Sequence, residues 1–175
     1  MMHYFTEAEL AELYQLKNVV RYNNHVRIKD ETVAEHSFFT TLLALKLCEK
    51  LHASDDLIHK CIIKALLHDM PETKLNDITH DVKSLLNIRP ILRQYERSYY
   101  DNFFERFSDI MNIDDENDVV NLIVKFADIL SVLQYACNEI SLGNNTFLHI
   151  KIDAEKRLDD IYKKLNEVKI KNGSF

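Results

Sequence analysis

Cys61-Ile62-Ile63-Lys64-Ala65-Leu66-Leu67-His68-Asp69 is an apolar helical run that ends in two potential metal ligands. A face patterned for burial seldom closes on such a pair unless something binds there. Upstream stands Glu35-His36, and downstream a second apolar run, Val124-Lys-Phe-Ala-Asp128-Ile-Leu130, holds a lone acid. His36, His68, Asp69 and Asp128 together offer two imidazoles and two carboxylates. That mixture suits a divalent transition metal better than calcium, which takes oxygen ligands, or a thiolate-rich structural zinc site.

Outward from this run the chain reads as helix after helix. Thr6-Glu-Ala-Glu9 is a capping-box pattern, followed by Leu10, Leu13, Leu16 and Val20 at helical spacing. A polar stretch from about Arg21 to Glu31 interrupts the periodicity, and Thr32-Val-Ala-Glu35 opens a second helix reaching about Leu51. Ser54 or Asp55 caps a third, predicted to end near Asp69, before Pro71 discourages simple continuation. Residues 72–80 read as a loop, 81–87 and 90–110 as two shorter helices, and about Asp115 to Leu142 as a long helix stopped by Gly143. Thr146 starts a last helix with a fraying tail. The expected architecture is all-α, with no internal repeat.

Composition agrees. The 175 residues fit a single domain over 1–175, with no shift that marks a second. Only two glycines and two prolines leave too few turn signals for a β-sandwich. Apolar residues at 46% and charged residues at 29% describe a globular chain. A net charge of −6 argues against a nucleic-acid backbone as the partner. Cys48, Cys61 and Cys137, odd in number and set in apolar helices, read as reduced thiols. No basic-then-apolar leader and no run of membrane-spanning length stand out, so the expected setting is cytoplasmic, with no membrane partner.

Adjacent helical positions point about 100° apart, so His68 and Asp69 can converge on one ion only where the helix is ending. His36 then comes from a neighbouring helix and Asp128 from the middle of the long one. Four protein ligands leave open positions on an octahedral ion, as metal-assisted hydrolysis requires. Glu72, four residues after His68, falls beside the metal as a candidate proton-transfer group. Asp77 in the following loop is placed to accept hydrogen bonds from sugar hydroxyls. Arg21 is expected to end the first helix, and among Arg21, Arg27, Lys29 and Lys83 it is best placed by the hinge to close on a phosphate. Tyr95, Tyr99, Tyr100, Phe103, Phe104 and Phe107 form an aromatic stripe that fits core packing or a dimer face.

The ordered set His36 … His68-Asp69 … Asp128 resembles the H…HD…D signature of HD-domain metal-dependent phosphohydrolases. The context narrows the resemblance to the bacterial 5′-deoxynucleotidase branch, with its phage dATP triphosphohydrolase relatives. Arg21-Tyr22, Glu31-Thr-Val-Ala-Glu-His-Ser37, Leu67-His-Asp-Met-Pro-Glu72, Asp77-Ile-Thr-His-Asp-Val-Lys83, Lys125-Phe-Ala-Asp128 and Glu139-Ile-Ser-Leu-Gly-Asn-Asn145 carry it, over roughly residues 10–160.

The resemblance implies an HD-domain bundle of about six to eight helices. It implies one divalent ion per subunit (Co2+, Mn2+ or Mg2+, with Zn2+ a further candidate) held by His36, His68, Asp69 and Asp128. Glu72 would be the catalytic acid or base, Arg21 would bind the 5′-phosphate with Lys83 as helper, and Asp77 would contact the 3′-hydroxyl. In that family an aromatic residue after the arginine crowds the 2′ position; here it is Tyr22, in a chain with no Trp. Binuclear relatives need further histidines between the HD pair and the last Asp; only His80 lies there, so one ion is expected. The implied substrate is a small-molecule deoxynucleoside 5′-monophosphate and the implied assembly a homodimer. Two alternatives stand beside it: a dATP triphosphohydrolase, and a non-catalytic nucleotide-binding or interaction module, which would be expected to have lost a ligand or Glu72.

Overall fold

The computed structural model describes residues 4–78 and 80–172. Seven helices of six residues or more and two single-turn helices make up the described chain: α1 (Glu7–Gln15), α2 (Val33–Leu51), α3 (Asp55–Leu67), α4 (Glu72–Leu75), α5 (His80–Leu85), α6 (Arg89–Phe103), α7 (Ser108–Met111), α8 (Val119–Ser141) and α9 (Leu148–Asn172). Among the described residues there is no strand, only an isolated bridge between Val20 and Thr32. The all-α expectation holds.

Local chemistry sets the helix starts. Thr6 and Thr32 each close a complete capping box, with Glu9 and Glu35 reaching back to the cap backbone. Ser54 accepts from the Leu57 N–H at the start of α3, and Asp118 accepts from the Val120 N–H at the start of α8. At the far end of α8, Gly143 adopts φ +98°, a left-handed conformation that costs a glycine little.

Several boundaries differ from expectation. The first helix stops at Gln15, because Leu16–Asn18 tighten into a 3-10 turn and Val19 is extended. Arg21 therefore sits in the strap after the helix rather than at its end. α3 ends at Leu67 with His68 as its cap residue. Residues 72–80 are not wholly loop, since Glu72–Leu75 wind one turn. The expected 90–110 helix breaks at Phe104, and α8 begins at Val119 rather than Asp115. The last helix starts at Leu148, after a 3-10 turn over Asn145–Phe147.

α8 is the central element, packed against α9, α2 and α3. Leu122, Ile123, Ala127 and Ile129 from α8 meet Ala44 and Cys48 from α2, Cys61 and Ala65 from α3, and Ala154, Leu158 and Ile161 from α9. By length and composition α8 could span a membrane, so the expectation of no such run is corrected; here its apolar faces are enclosed by those three helices. Tyr99 and Tyr100 are buried with Leu67 and Met70, and Tyr95, Phe103, Phe104 and Phe107 pack around them. The aromatic stripe is therefore core. A third cluster, Tyr135, Ala136 and Phe147, receives Tyr22 from the strap. Cys48, Cys61 and Cys137 are free thiols, as expected, and His52 and His59 are exposed.

Candidate active site

The strap 19–33 is tied down at both ends and in its middle. Val33 N–H donates to the Val19 carbonyl (2.8 Å) and Arg21 N–H to the Glu31 carbonyl (2.9 Å). Glu139, 1% exposed at the end of α8, accepts from the N–H groups of Ile28 and Lys29, both at 2.8 Å, and from the Asn144 amide at 2.7 Å. The Tyr135 hydroxyl donates to the Lys29 carbonyl at 2.6 Å. These bonds fix Arg21 and Tyr22 over the middle of α8.

Three helices then deliver the sequence-predicted ligands to one point. His36, fully buried on α2, sets Nε2 3.1 Å from Asp128 Oδ1 and 3.7 Å from Asp69 Oδ2. His68 Nε2 lies 3.2 Å from Asp69 Oδ2. Donor atoms of His36, His68 and Asp69 all fall within 4.8 Å of one another, and Asp128 joins through its contact with His36. His68 and Asp69 converge because α3 has ended, which frees Asp69 from the 100° helical offset. His68 donates Nδ1–H to the Ala65 carbonyl at 2.8 Å, and the Tyr100 hydroxyl donates to the carbonyls of Leu67 and His68. That arrangement directs His68 Nε2 into the cluster, buried, with the Asp69 carboxylate 3.2 Å away as an ion-pair neighbour but no hydrogen bond of good geometry. A backbone-fixed imidazole with an orphaned nitrogen, facing two carboxylates, fits a divalent cation.

Burial and the neighbouring charges shift every group of the cluster. Burial pushes the pKa of His68 down, but the Asp69 carboxylate outweighs it and holds it up to about 9. Burial pushes both carboxyls up, yet His68 holds Asp69 below the usual carboxylate range and His36 does the same for Asp128. His36 itself is driven down by burial and by the Arg21 charge.

The other candidates surround this point. Burial, with Asp69 and Asp77 adding to it, holds the Glu72 carboxyl well above its ordinary value, and Oε2 is buried without a partner. Lys83 Nζ stands 3.8 Å from Glu72 Oε1. Arg21 pairs with Glu31 at 2.6 Å and approaches His36 Nδ1 at 2.8 Å. Tyr22 adopts φ 54°, a strained value for a bulky residue, and donates its N–H to Asp77 Oδ2 at 2.7 Å. Its ring stacks on Tyr135 at 5.1 Å and 3°. Arg27 is not part of this wall; it donates to the Tyr22 carbonyl and braces the strap. A cavity of about 460 Å³ is lined by Arg21, Tyr22, Asp69, Glu72, Asp77, Lys83 and Asp128. His80 opens α5, and its side chain lies outside the described residues, as does Thr79.

Sequence reasoning gave no role to several residues that matter here. Ser131, one turn after Asp128, places Oγ 3.1 Å from His36 Nδ1. Its i+3 spacing from a candidate ligand was the available signal. Glu31 meets Arg21 across the strap, and Glu139 reaches Ile28 and Lys29 from far along the chain. The fourth side of the cavity, His149, Ile150, Asp153 and Arg157 of α9, went unread.

An all-α bundle that gathers two histidines and two aspartates from three helices is the arrangement of an HD-type phosphohydrolase. An HD-domain phosphohydrolase of Listeria innocua is similar over 94% of this chain and 85% of its own, at 19% identity and a TM-score of 0.72. The cyanophage S-2L HD phosphohydrolase, whose structure is bound to dA and one catalytic Zn2+ ion, is similar over 92% of both chains, at 15% identity and a TM-score of 0.61. Residues 9–172 match the family described as 5′-deoxynucleotidase YfbR-like, and the chain belongs to that family. A 4′-phosphooxetanocin A phosphatase of Priestia megaterium is 29% identical over 160 residues, 86% of this chain and 82% of the relative. A dATP triphosphohydrolase of Salmonella phage PMBT28 is 26% identical over 131 residues, 71% of this chain and 63% of the relative.

Proposed function

We propose that this hydrolase removes the 5′-phosphate from deoxynucleoside 5′-monophosphates, giving deoxynucleoside and phosphate. The observation that carries this is the pair of orphaned buried atoms in one place: His68 Nε2 in the ligand cluster and Glu72 Oε2 beside it. His36, His68, Asp69 and Asp128 would hold one divalent ion per subunit, Co2+, Mn2+ or Mg2+, with Zn2+ a further candidate. Bound there, such an ion supplies Lewis-acid charge at phosphorus and a more acidic water.

The remaining chemistry belongs to the chain. With Nε2 used as a ligand, His36 must carry its proton on Nδ1, where Ser131 Oγ accepts it. Arg21 can no longer donate to that nitrogen; Glu31 keeps hold of the same Nη1, and the remaining N–H groups of the guanidinium are left to bind the phosphate. Glu72, whose carboxyl burial holds well above its ordinary value, is the group to deliver a proton to the departing 5′-oxygen. Lys83 assists at the phosphate side. Asp77, oriented by the Tyr22 N–H, accepts from the 3′-hydroxyl, and the Tyr22 ring closes off the 2′ edge.

The wider reading is one domain acting as a cytoplasmic homodimer on a small-molecule nucleotide, with no nucleic-acid or membrane partner. The row Phe38, Phe39, Leu42 and Leu45, exposed along one face of α2, supports self-association. Triphosphate hydrolysis is the second reading, supported by the phage relative. Metal-reconstituted protein given dAMP and dATP separates the two: free phosphate from dAMP supports the first, and triphosphate released much faster from dATP replaces it.

A further inference from the structure

Beyond Arg21, Glu72 and Asp77 the cavity continues to a wall that the proposed chemistry does not use. His25 from the strap and His149 from α9 stack at 6.1 Å and 20°. Val132 and Ile150 supply apolar surface beside them. One and two turns further along α9, Asp153 and Arg157 line the same cavity as Asp69 and Asp128. Their mutual contact is long, 3.5 Å from Arg157 Nη1 to Asp153 Oδ2, with side-chain exposures of 30% and 58%. Lys151 and Glu155 form a pair of the same i,i+4 spacing at 3.4 Å on this helix but take no part in the cavity. Asp153 and Arg157 are therefore set apart by where they point.

We propose that this wall is the nucleobase subsite and that Asp153 and Arg157 select guanine. The inference rests on the nucleotide reading of the site and deepens it. Flat imidazoles and aliphatic side chains offer a stacking surface that accepts any base face. The edge carries the selectivity: an ionised carboxylate only accepts hydrogen bonds and a guanidinium only donates them. Guanine presents two parallel donors, N1–H and N2–H, beside two acceptors, O6 and N7. Asp153 can take the first pair and Arg157 the second. Adenine and cytosine give Asp153 a single amino group, and thymine gives one N–H flanked by carbonyls that repel it. Both side chains are partly solvated, so water competes and the preference is modest, about tenfold.

The test uses the full-length protein, reconstituted with Co2+ or Mn2+. Turnover of dGMP, dAMP, dCMP and dTMP is compared among wild type, Asp153→Ala, Arg157→Ala and the control Lys151→Ala. Equilibrium binding of deoxyguanosine and thymidine to the same proteins is measured alongside. The expected result is a dGMP preference over dTMP of about tenfold in wild type and Lys151→Ala, falling to within about twofold in Asp153→Ala and Arg157→Ala. KM should carry the change and kcat should stay. An unaltered base ranking in both cavity variants, or equal binding of the two nucleosides by wild type, overturns the subsite. Nucleoside binding needs no turnover: loss of deoxyguanosine binding in Asp153→Ala upholds the subsite even should every monophosphate resist hydrolysis, a result that sinks only the phosphatase reading.

Discussion

Replacing Glu139 by Gln removes one oxygen and one charge from the clamp that holds the strap to α8. The wild-type carboxylate accepts three hydrogen bonds, from Ile28 N–H, Lys29 N–H and Asn144 Nδ2, at 1% exposure. A glutamine must turn its NH2 toward one of the backbone N–H groups. One charge-assisted bond, about 1.5–3 kcal/mol, is lost, and the stranded buried donors cost about 1–3 kcal/mol more. The surviving bonds weaken as the charge goes. The expected destabilisation is about 3–5 kcal/mol, a large part of the total stability of a domain this size. Urea unfolding at pH 7 should show a midpoint lowered by roughly 2 M, taking a slope of about 2 kcal/mol/M. KM should rise as well, because the strap carries Arg21 and Tyr22. Burial pushes the Glu139 carboxyl up, but the two backbone N–H groups and the Asn144 amide outweigh it and hold its pKa below the ordinary value. Its stabilisation is therefore complete above the unfolded carboxylate pKa and lost as pH falls through the lower folded value. The gap between wild type and variant should stay constant from pH 6 to 8 and close below about pH 4. A midpoint shift equivalent to less than about 1 kcal/mol, or an unchanged KM, would refute the clamp.

Glu72→Gln should cut kcat by about 10²–10⁴-fold in steady-state assays while leaving metal binding intact. The same variant should gain stability over wild type as pH rises from 5 to 8, since a carboxyl whose folded pKa is raised loses stability above its unfolded value; parallel urea midpoints across that range would contradict this. Metal affinity should tighten about tenfold per pH unit between pH 6 and 8, because His68, held up to about 9, must shed its proton to bind; titration calorimetry with Co2+ in buffers of different ionisation enthalpy reads the proton released. Tyr22→Ala should lose about 2 kcal/mol, because the stacking on Tyr135 and the edge contact with Phe147 disappear while the Cβ of alanine keeps the cost of φ 54°. It should also narrow the deoxyribose-over-ribose preference measured with dAMP and AMP.

What could be read from the sequence followed the range of the interactions involved. His36, His68, Asp69 and Asp128 were legible because each interrupts an apolar helical run, and Glu72 and Arg21 because they stand one turn or one hinge away. The capping boxes at Thr6 and Thr32 are local and appear as expected. The breaks at Gln15 and Phe104 were hidden, since helical periodicity carries through them and tertiary packing decides where the helix yields. Glu139 and Ile28 are 111 residues apart, and no spacing rule joins them. His149, Asp153 and Arg157 look like the solvated face of an amphipathic helix; only the path of α9 back along α8 turns that face into a cavity wall.

The central claim is that four side chains from three helices hold one cation. Titrating metal-free protein with Co2+, followed by calorimetry and visible absorption, tests it most directly. One equivalent per chain is expected for the wild type, with binding lost or weakened by at least about a hundredfold in His68→Ala and Asp128→Ala. Absence of binding, or equal binding by the two variants, would contradict the account.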